Sequence, residues 1–286
     1  MSAPLKHGAA MKKLFRTVWL ALTAVVFAAA ASLSPALTEA HAADASAIKC
    51  SAPAELARLD HPLDRTKQRL AAGLPLTIVA IGSSSTAGAG ASSPDHSYPS
   101  QLAVEFQQLF PGHPITVLNR GVNGEEASDM LARLDRTVLA EKPDLVLWQV
   151  GTNAALRDSA LQPVGAAIHE GLTRLKASGA DVVLIDPQFA PQTIAKAETK
   201  GMVNLIASLA KQDSVDLFRR FAVMQNWSGA SGIPFTTFVS PDNLHMNDWG
   251  YGCVAKILGQ AIADAASRPI LTAATITRLT ATTITR

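Results

Sequence analysis

Four short segments, far apart in the chain, hold residue types that together could carry out acyl transfer at a serine. They are Gly82-Ser83-Ser84-Ser85-Thr86, Gly121-Val122-Asn123-Gly124, Gly151-Thr152-Asn153 and Asp242-Asn243-Leu244-His245. A serine hydroxyl is a weak nucleophile and needs an adjacent base. His245 can be that base, and Asp242, three residues before it, can fix the imidazole tautomer and leave the second ring nitrogen facing a hydroxyl. Gly124 lets the backbone approach a reacting carbonyl and present its N–H. Asn153 offers amide N–H donors without charge. Such donors can hold the oxyanion that develops during acyl transfer.

Each segment also has an ordinary reading. Ser83–Ser85 could cap a helix, Asp242 could be an N-cap with an incidental histidine beside it, and Gly124 and Asn153 could belong to a turn and a cap. What separates the functional reading from these is the set, in this order. The serine turn is not a Gly-x-Ser-x-Gly elbow, and no Gly-Lys-Ser/Thr follows to make a phosphate loop. A zinc set is not expected, because His245 has no second histidine at ligand spacing and the two cysteines are scattered.

The elements that would position these residues read as alternating strands and helices. Leu76–Ile81, Ile115–Leu118, Leu145–Val150 and Val182–Ile185 are short, nearly continuous apolar runs, as parallel strands buried on both faces require. Val215–Phe218 is a weaker fifth run. Helical stretches lie near Pro53–Ala72, Pro99–Phe110, Ala127–Ala140, Val164–Ala177, Ile194–Lys211 and Trp249–Ala265. This alternation predicts an α/β fold, a three-layer α/β/α sandwich around a parallel sheet of about five strands. The first three motif segments each follow a strand directly. They therefore fall at strand carboxyl ends, where open α/β sheets build their sites.

The motifs resemble those of the GDSL-type, or SGNH, hydrolase superfamily over roughly Leu76 to Gly259. Gly82–Thr86 is similar to its first block, Gly-Asp-Ser-x-Thr. Gly124 matches the glycine of the second block, Gly151-Thr152-Asn153 the third, and Asp242-Asn243-Leu244-His245 the fifth. The resemblance implies a catalytic Ser84, Asp242 and His245. It implies an oxyanion hole from the Ser84 and Gly124 N–H groups and the Asn153 side chain. It requires no metal or cofactor. Two departures stand out: Ser83 replaces the usual aspartate beside the nucleophile, and Ala154 stands where an aspartate often follows the asparagine. Neither removes a member of the set. The implied substrate is a small-molecule or glycan ester, with carbohydrate O-deacetylation or short-chain ester hydrolysis as the leading expectation. The same residues would serve an acyltransferase, and a catalytically silent carbohydrate-binding module is the reading from another class.

Of the 286 residues, 48% are hydrophobic and 17% charged, enough for a sizeable core in one domain. Residues 1–42 read as a secretory signal. Met11-Lys12-Lys13-Leu14-Phe15-Arg16 is a positive start, an apolar run follows from Val18 to about Leu33, and Ala40-His41-Ala42 supplies small residues for cleavage after Ala42. An uncleaved anchor is the rival, but the run is short for a span of about 20 residues. The expected organisation is a leader over 1–42, a hydrolase domain over 43–269 and a threonine-rich, poorly ordered tail over 270–286. Without the leader's four cations and one acid, 21 basic and 22 acidic residues remain, a net charge of −1. No basic stripe is visible, so no nucleic-acid partner is expected. Nor is stable membrane association expected once the leader is removed; the exported protein is expected outside the cytoplasm. The oligomeric state is not legible.

An oxidising compartment would let Cys50 and Cys253 pair, tying the mature N-terminus to the last helix. That loop of about 200 residues would contribute about 4–5 kcal/mol in the chain-entropy picture. Two separate thiols are the alternative. Two further expectations concern the surroundings of the site. Ala87–Ser97 should form a flexible rim. Trp227, Phe235, Phe238 and Trp249 either stack on a sugar or, as aromatics more often do, fill core.

Overall fold

A computed structural model describes residues 48–268. The expected leader (1–42) and tail (270–286) lie outside the described residues. Five strands form one parallel sheet: β1 (Leu76–Gly82), β2 (Ile115–Gly121), β3 (Leu145–Gln149), β4 (Asp181–Ile185) and β5 (Asp216–Phe218). Their spatial order is β2-β1-β3-β4-β5, with every neighbouring pair parallel. The chain moves outward from β1 to β2, then crosses back to start the other half at β3. The crevice outside the carboxyl ends of β1 and β3 is therefore the topological switch point, where such sheets place ligands. Ser84 follows β1 and Asn153 follows β3.

The strands are apolar because helices cover both sheet faces. Val79, Ile81, Val146, Trp148, Leu184 and Leu217 share one core with α5 (Ala127–Thr137), α7 (Leu161–Ala177) and α9 (Thr199–Asp213). Alternate residues point the other way. Ile78, Ala80, Leu147, Val183 and Ile185 are equally buried. On that side α4 (Tyr98–Leu109) packs along α12 (Asp248–Ser267), closely enough that a Cβ on Gly259 would sit 3.0 Å from Glu105 Cγ. β2 departs from the expectation of burial on both faces. It is an edge strand with half-buried side chains, and its polar end, Asn119-Arg120-Gly121, extends the apolar run by three residues.

Trp148 fixes the contact between β3 and α7. Its ring lies over Gly171, where an added Cβ would come within 2.2 Å of the indole, and its N–H donates to Met130 Sδ at 3.2 Å. Helix propensity favours alanine over glycine by about 1 kcal/mol. Overpacking a filled core costs about 1–3 kcal/mol. Gly171→Ala should therefore lower the urea midpoint despite the better helix former; an unchanged or raised midpoint would show that the ring can yield.

The expected helix over Pro53–Ala72 is in fact two: α1 (Ala54–Ala57) and α2 (Asp64–Ala71). Pro62 cannot donate within a helix, and the intervening N–H groups find distant acceptors. Asp216 accepts from the N–H groups of Asp60 at 2.7 Å and His61 at 2.9 Å. Asp181 accepts from those of Arg65 at 3.2 Å and Thr66 at 2.8 Å, so it caps α2 from another strand. The helix expected from Ile194 likewise divides, into α8 (Pro191–Ile194) and α9. The sequence reading missed α3 (Ser84–Ala87), α6 (Thr152–Leu156), α10 (Arg220–Ser228) and α11 (Phe235–Phe238).

Cys50 and Cys253 form a disulfide between the segment before α1 and helix α12, 203 residues apart in the chain. Replacing both with serine should cost about 5 kcal/mol in the loop-entropy picture. An equilibrium urea titration would read this as a clear fall in midpoint, and an unchanged midpoint would contradict it. No helix among the described residues is long and apolar enough to cross a membrane.

Candidate active site

β1 ends at Gly82, and the chain turns at once into the single-turn helix α3, with Ser84 as its first residue. The turn is tight because three segments meet there. A Cβ on Gly82 would lie 2.1 Å from Thr86 Oγ1 and 2.9 Å from the Gln149 side chain. A Cβ on Gly121 would lie 2.2 Å from the Ala87 nitrogen. Asn119 then clamps the back of the turn, donating from Nδ2 to Thr86 O at 2.8 Å while its Oδ1 accepts from Gly121 N–H at 2.9 Å. Ser83, which stands where the resembled family usually has aspartate, is buried. Its N–H and hydroxyl both donate to Gln149 Oε1, at 2.9 and 3.0 Å. A neutral serine with a neutral glutamine thus holds the turn at the end of β3.

Asp242 and His245 sit in a loop closed by an antiparallel bridge between Val239 and Met246. Ser240 N–H donates to His245 O at 2.8 Å, and Asn243 takes a left-handed conformation (φ 60°) at the bend. Asparagine tolerates that conformation better than most residues. The bend brings the two side chains together. His245 Nδ1–H donates to Asp242 Oδ2 at 2.6 Å. With that proton fixed, Nε2 is the acceptor, and Ser84 Oγ–H donates to it at 2.8 Å. Asp242 Oδ1 also accepts from Ser240 Oγ at 2.7 Å and from the N–H groups of Leu244 and His245, both at 2.9 Å. Burial opposes ionisation of Asp242, but the bonds from Ser240, His245 and Leu244 outweigh it and hold its carboxyl well below the ordinary carboxylate range. The imidazole side chain is 16% exposed and the carboxylate 44%. The row therefore faces solvent at one end.

Gly124 lies in the loop after β2, which is pinned at several points, and Asn153 lies on α6 after β3. Asn153, on α6, donates from Nδ2 to Glu125 O at 2.9 Å, which leaves its second amide hydrogen free to meet another acceptor. Gly124 has φ +80°, a conformation that disfavours any side chain, and its carbonyl accepts from Arg157 Nη2 at 2.8 Å. The Glu125 carboxylate is held by the nearly buried Arg133 at 2.7–2.9 Å. Among the described residues, the N–H groups of Ser84 and Gly124 donate to no protein acceptor.

The structure thus brings Ser84, His245 and Asp242 into one row, and it places Gly124 and Asn153 on one pinned loop and the helix after β3. It corrects the reading of the surroundings. Ala87–Ser97 is fastened to the start of α12, just past His245, rather than free. Tyr251 Oη donates to Ala89 O at 2.6 Å, and Ser92 N–H donates to Asp248 Oδ1 at 2.7 Å. Gly90 packs so closely that a Cβ there would meet His245 Cβ at 2.8 Å. Of the four aromatics, Trp227 and Phe238 are fully buried and fill core, whereas Trp249, edge-on to Trp227, and Phe235, tilted on Phe238, are half-buried.

Residues the sequence reading missed form a buried layer behind the turn: Gln149, Gln188, Asp186 and Arg220. Burial pushes the Asp186 carboxyl up to about 7, against the pull of the Phe221 N–H and Arg220. The available signal was a polar residue at or just after the end of a buried apolar strand, such as Gln149 after Leu145–Trp148. A cavity of about 680 Å³ lies elsewhere, lined by residues that include Cys50, Ala54, Arg58, Lys256 and Gln260, and none of the five candidate site residues borders it.

The sheet order and the switch-point site define an α/β/α sandwich of the SGNH hydrolase type. Residues 49–268 match the non-GDSL lipase-like family, and the chain belongs to that family. An arylesterase from Vibrio mimicus is 28% identical over 127 residues, covering 44% of this chain and 62% of the arylesterase. Among solved structures, a two-domain esterase active on acetylated mannans superposes with a TM-score of 0.67 at 21% identity, covering 78% of this chain and 59% of that one. A catalytic mutant of Axe2, an acetylxylan esterase from Geobacillus stearothermophilus, superposes with a TM-score of 0.55 at 18% identity, over 68% of this chain and 95% of that one. The chain thus spans about three fifths of the length of the arylesterase and of the two-domain esterase.

Proposed function

We propose that this protein is a serine ester hydrolase acting on short acyl esters, with acetylated carbohydrate as its substrate class. The observation that carries the reading is the row Asp242–His245–Ser84, with contacts of 2.6 and 2.8 Å. Ser84 Oγ attacks the ester carbonyl carbon as its proton passes to His245 Nε2. Asp242 keeps the ring oriented and stabilises the imidazolium. The tetrahedral oxyanion is held by the N–H groups of Ser84 and Gly124 and by the free amide hydrogen of Asn153. Collapse breaks the bond to the alcohol oxygen, which leaves with the proton from His245. Water, deprotonated by the same nitrogen, then cleaves the acyl-enzyme and regenerates Ser84.

Two observations favour a short acyl group on a large alcohol. Gly124 and Asp242 are exposed, so the site opens broadly to solvent instead of closing over a ligand. The similar proteins include esterases active on acetylated mannans and on acetylxylan. Export is part of the proposal. It rests on the signal-like residues 1–42 and on the disulfide, which forms and persists in oxidising compartments. The domain then spans 43–269. Acetate release from acetylated mannan and acetylxylan, measured beside p-nitrophenyl acetate and p-nitrophenyl decanoate, tests the reading. Release from the glycans with a strong preference for acetate over decanoate is expected. Activity confined to the long acyl chain would overturn the substrate assignment.

A further inference from the structure

We propose that Gln188 is the positioning residue that holds nucleophile, oxyanion donor and base in register, and that Arg220 orients its amide. The inference rests on the serine hydrolase reading above.

Gln188 follows β4 and is completely buried. Its Oε1 accepts from Ser85 Oγ at 3.2 Å, Thr152 Oγ1 at 3.0 Å and Arg220 Nη2 at 3.0 Å. Its Nε2 donates to Leu244 O at 3.3 Å. Each of these contacts except Arg220 is the immediate neighbour of a site residue. Ser85 follows Ser84, Thr152 precedes Asn153, and Leu244 precedes His245. One side-chain amide therefore touches three of the four segments that must converge.

Arg220 settles which way the amide points. A guanidinium has only donors, so the atom facing Nη2 must be the carbonyl oxygen, and the NH₂ group is left facing Leu244 O. The guanidinium is itself completely buried. It donates from Nε to Asp186 O at 3.0 Å, but Nη1 has no partner among the described residues. A buried, incompletely paired cation is poor value as a stabiliser. As a device that fixes one amide orientation, it has a role. Gln149 makes a parallel connection, from Ser83 on the other side of Ser84, and meets Gln188 through Thr152 Oγ1 at 3.4 Å. The nucleophile turn is thus braced from both sides, and only Gln188 extends the brace to the base.

A displacement of about 1 Å between reacting groups can cost about 100-fold in rate. The test is the rate constant for inactivation by a fluorophosphonate, measured together with the final labelling stoichiometry. The rate reports how well Ser84 is activated; the stoichiometry reports how much protein is folded. Gln188→Leu should slow inactivation about 10–100-fold at unchanged stoichiometry, and lower kcat for p-nitrophenyl acetate with little change in KM. Gln188→Glu keeps the acceptor side of the brace and should recover part of that rate. A purely structural role would instead reduce stoichiometry and leave the rate constant of the labelled fraction at the wild-type value. Should Gln188→Leu show no cooperative melting, Gln188→Glu and Thr152→Val decide: each should slow labelling several-fold, and wild-type rates in both would overturn the inference. Ser84→Ala, run in the same series, separates the two claims. If it still labels, the serine hydrolase reading fails. If it is silent while the Gln188 variants label at the wild-type rate, only the brace fails.

Discussion

Replacing Ser84 with alanine should lower kcat for a short acyl ester by about 10⁵–10⁶-fold, the scale seen when a serine nucleophile is removed from such a unit. In the proposed mechanism the side chain supplies the attacking oxygen and the proton that His245 accepts, and among the described residues no other hydroxyl bonds His245 Nε2. Ser83 and Ser85 cannot substitute. Ser83 Oγ donates to Gln149 and Ser85 Oγ to Gln188, and both residues are buried behind the turn. Stability should scarcely change, because Ser84 is half-exposed and, among the described residues, its hydroxyl bonds only the imidazole. The informative comparison is with His245→Ala. Members of a catalytic unit are strongly non-additive, so the double variant should be no slower than Ser84→Ala alone. Steady-state kinetics with thermal melting of each variant reads both points. A loss in Ser84→Ala of less than tenfold would remove the serine from the mechanism.

Asn153→Ala is the second large effect, a fall in kcat of about 10²–10³-fold. Two consequences combine. In the proposed mechanism the oxyanion loses its one side-chain donor, an interaction made in the transition state more than in the ground state, so kcat should fall while KM moves little. The Asn153 Nδ2 bond to Glu125 O is lost as well, and that bond helps hold the loop carrying Gly124. Arg157 on Gly124 O and Arg133 on the Glu125 carboxylate remain, so the loop keeps most of its anchors. The direct loss should therefore dominate. Asn153→Asp tests this split. It replaces both donors by acceptors facing Glu125 O and the oxyanion, and should be worse than alanine. A rise in KM with kcat unchanged, in either variant, would place Asn153 in substrate binding instead.

The parts of this arrangement that could be read from sequence are those set by neighbours along the chain. The strands around the site showed as apolar runs because both faces of β1, β3 and β4 are covered, and their ends agree with the reading to within one residue. Asp242 and His245 were legible because a three-residue spacing in a tight loop is a local property. What escaped depends on contacts between distant segments. The break between α1 and α2 is set by Asp216 and Asp181, more than 100 residues away. The bracing glutamines, Gln149 and Gln188, are single polar residues at strand ends whose partners lie 32 to 103 residues distant, the Gln149–Thr152 bond excepted. The fastening of Ala87–Ser97 to Asp248 and Tyr251 is equally non-local, and that composition of small residues reads as mobile without it.

The most direct test is to react the intact protein with a fluorophosphonate, digest it and locate the adduct by mass spectrometry. A single adduct on the peptide bearing Ser84, absent when His245 is replaced by alanine, is the expected result. A modified serine elsewhere with Ser84 untouched, or equal labelling of Ser84 without the imidazole, would contradict the account.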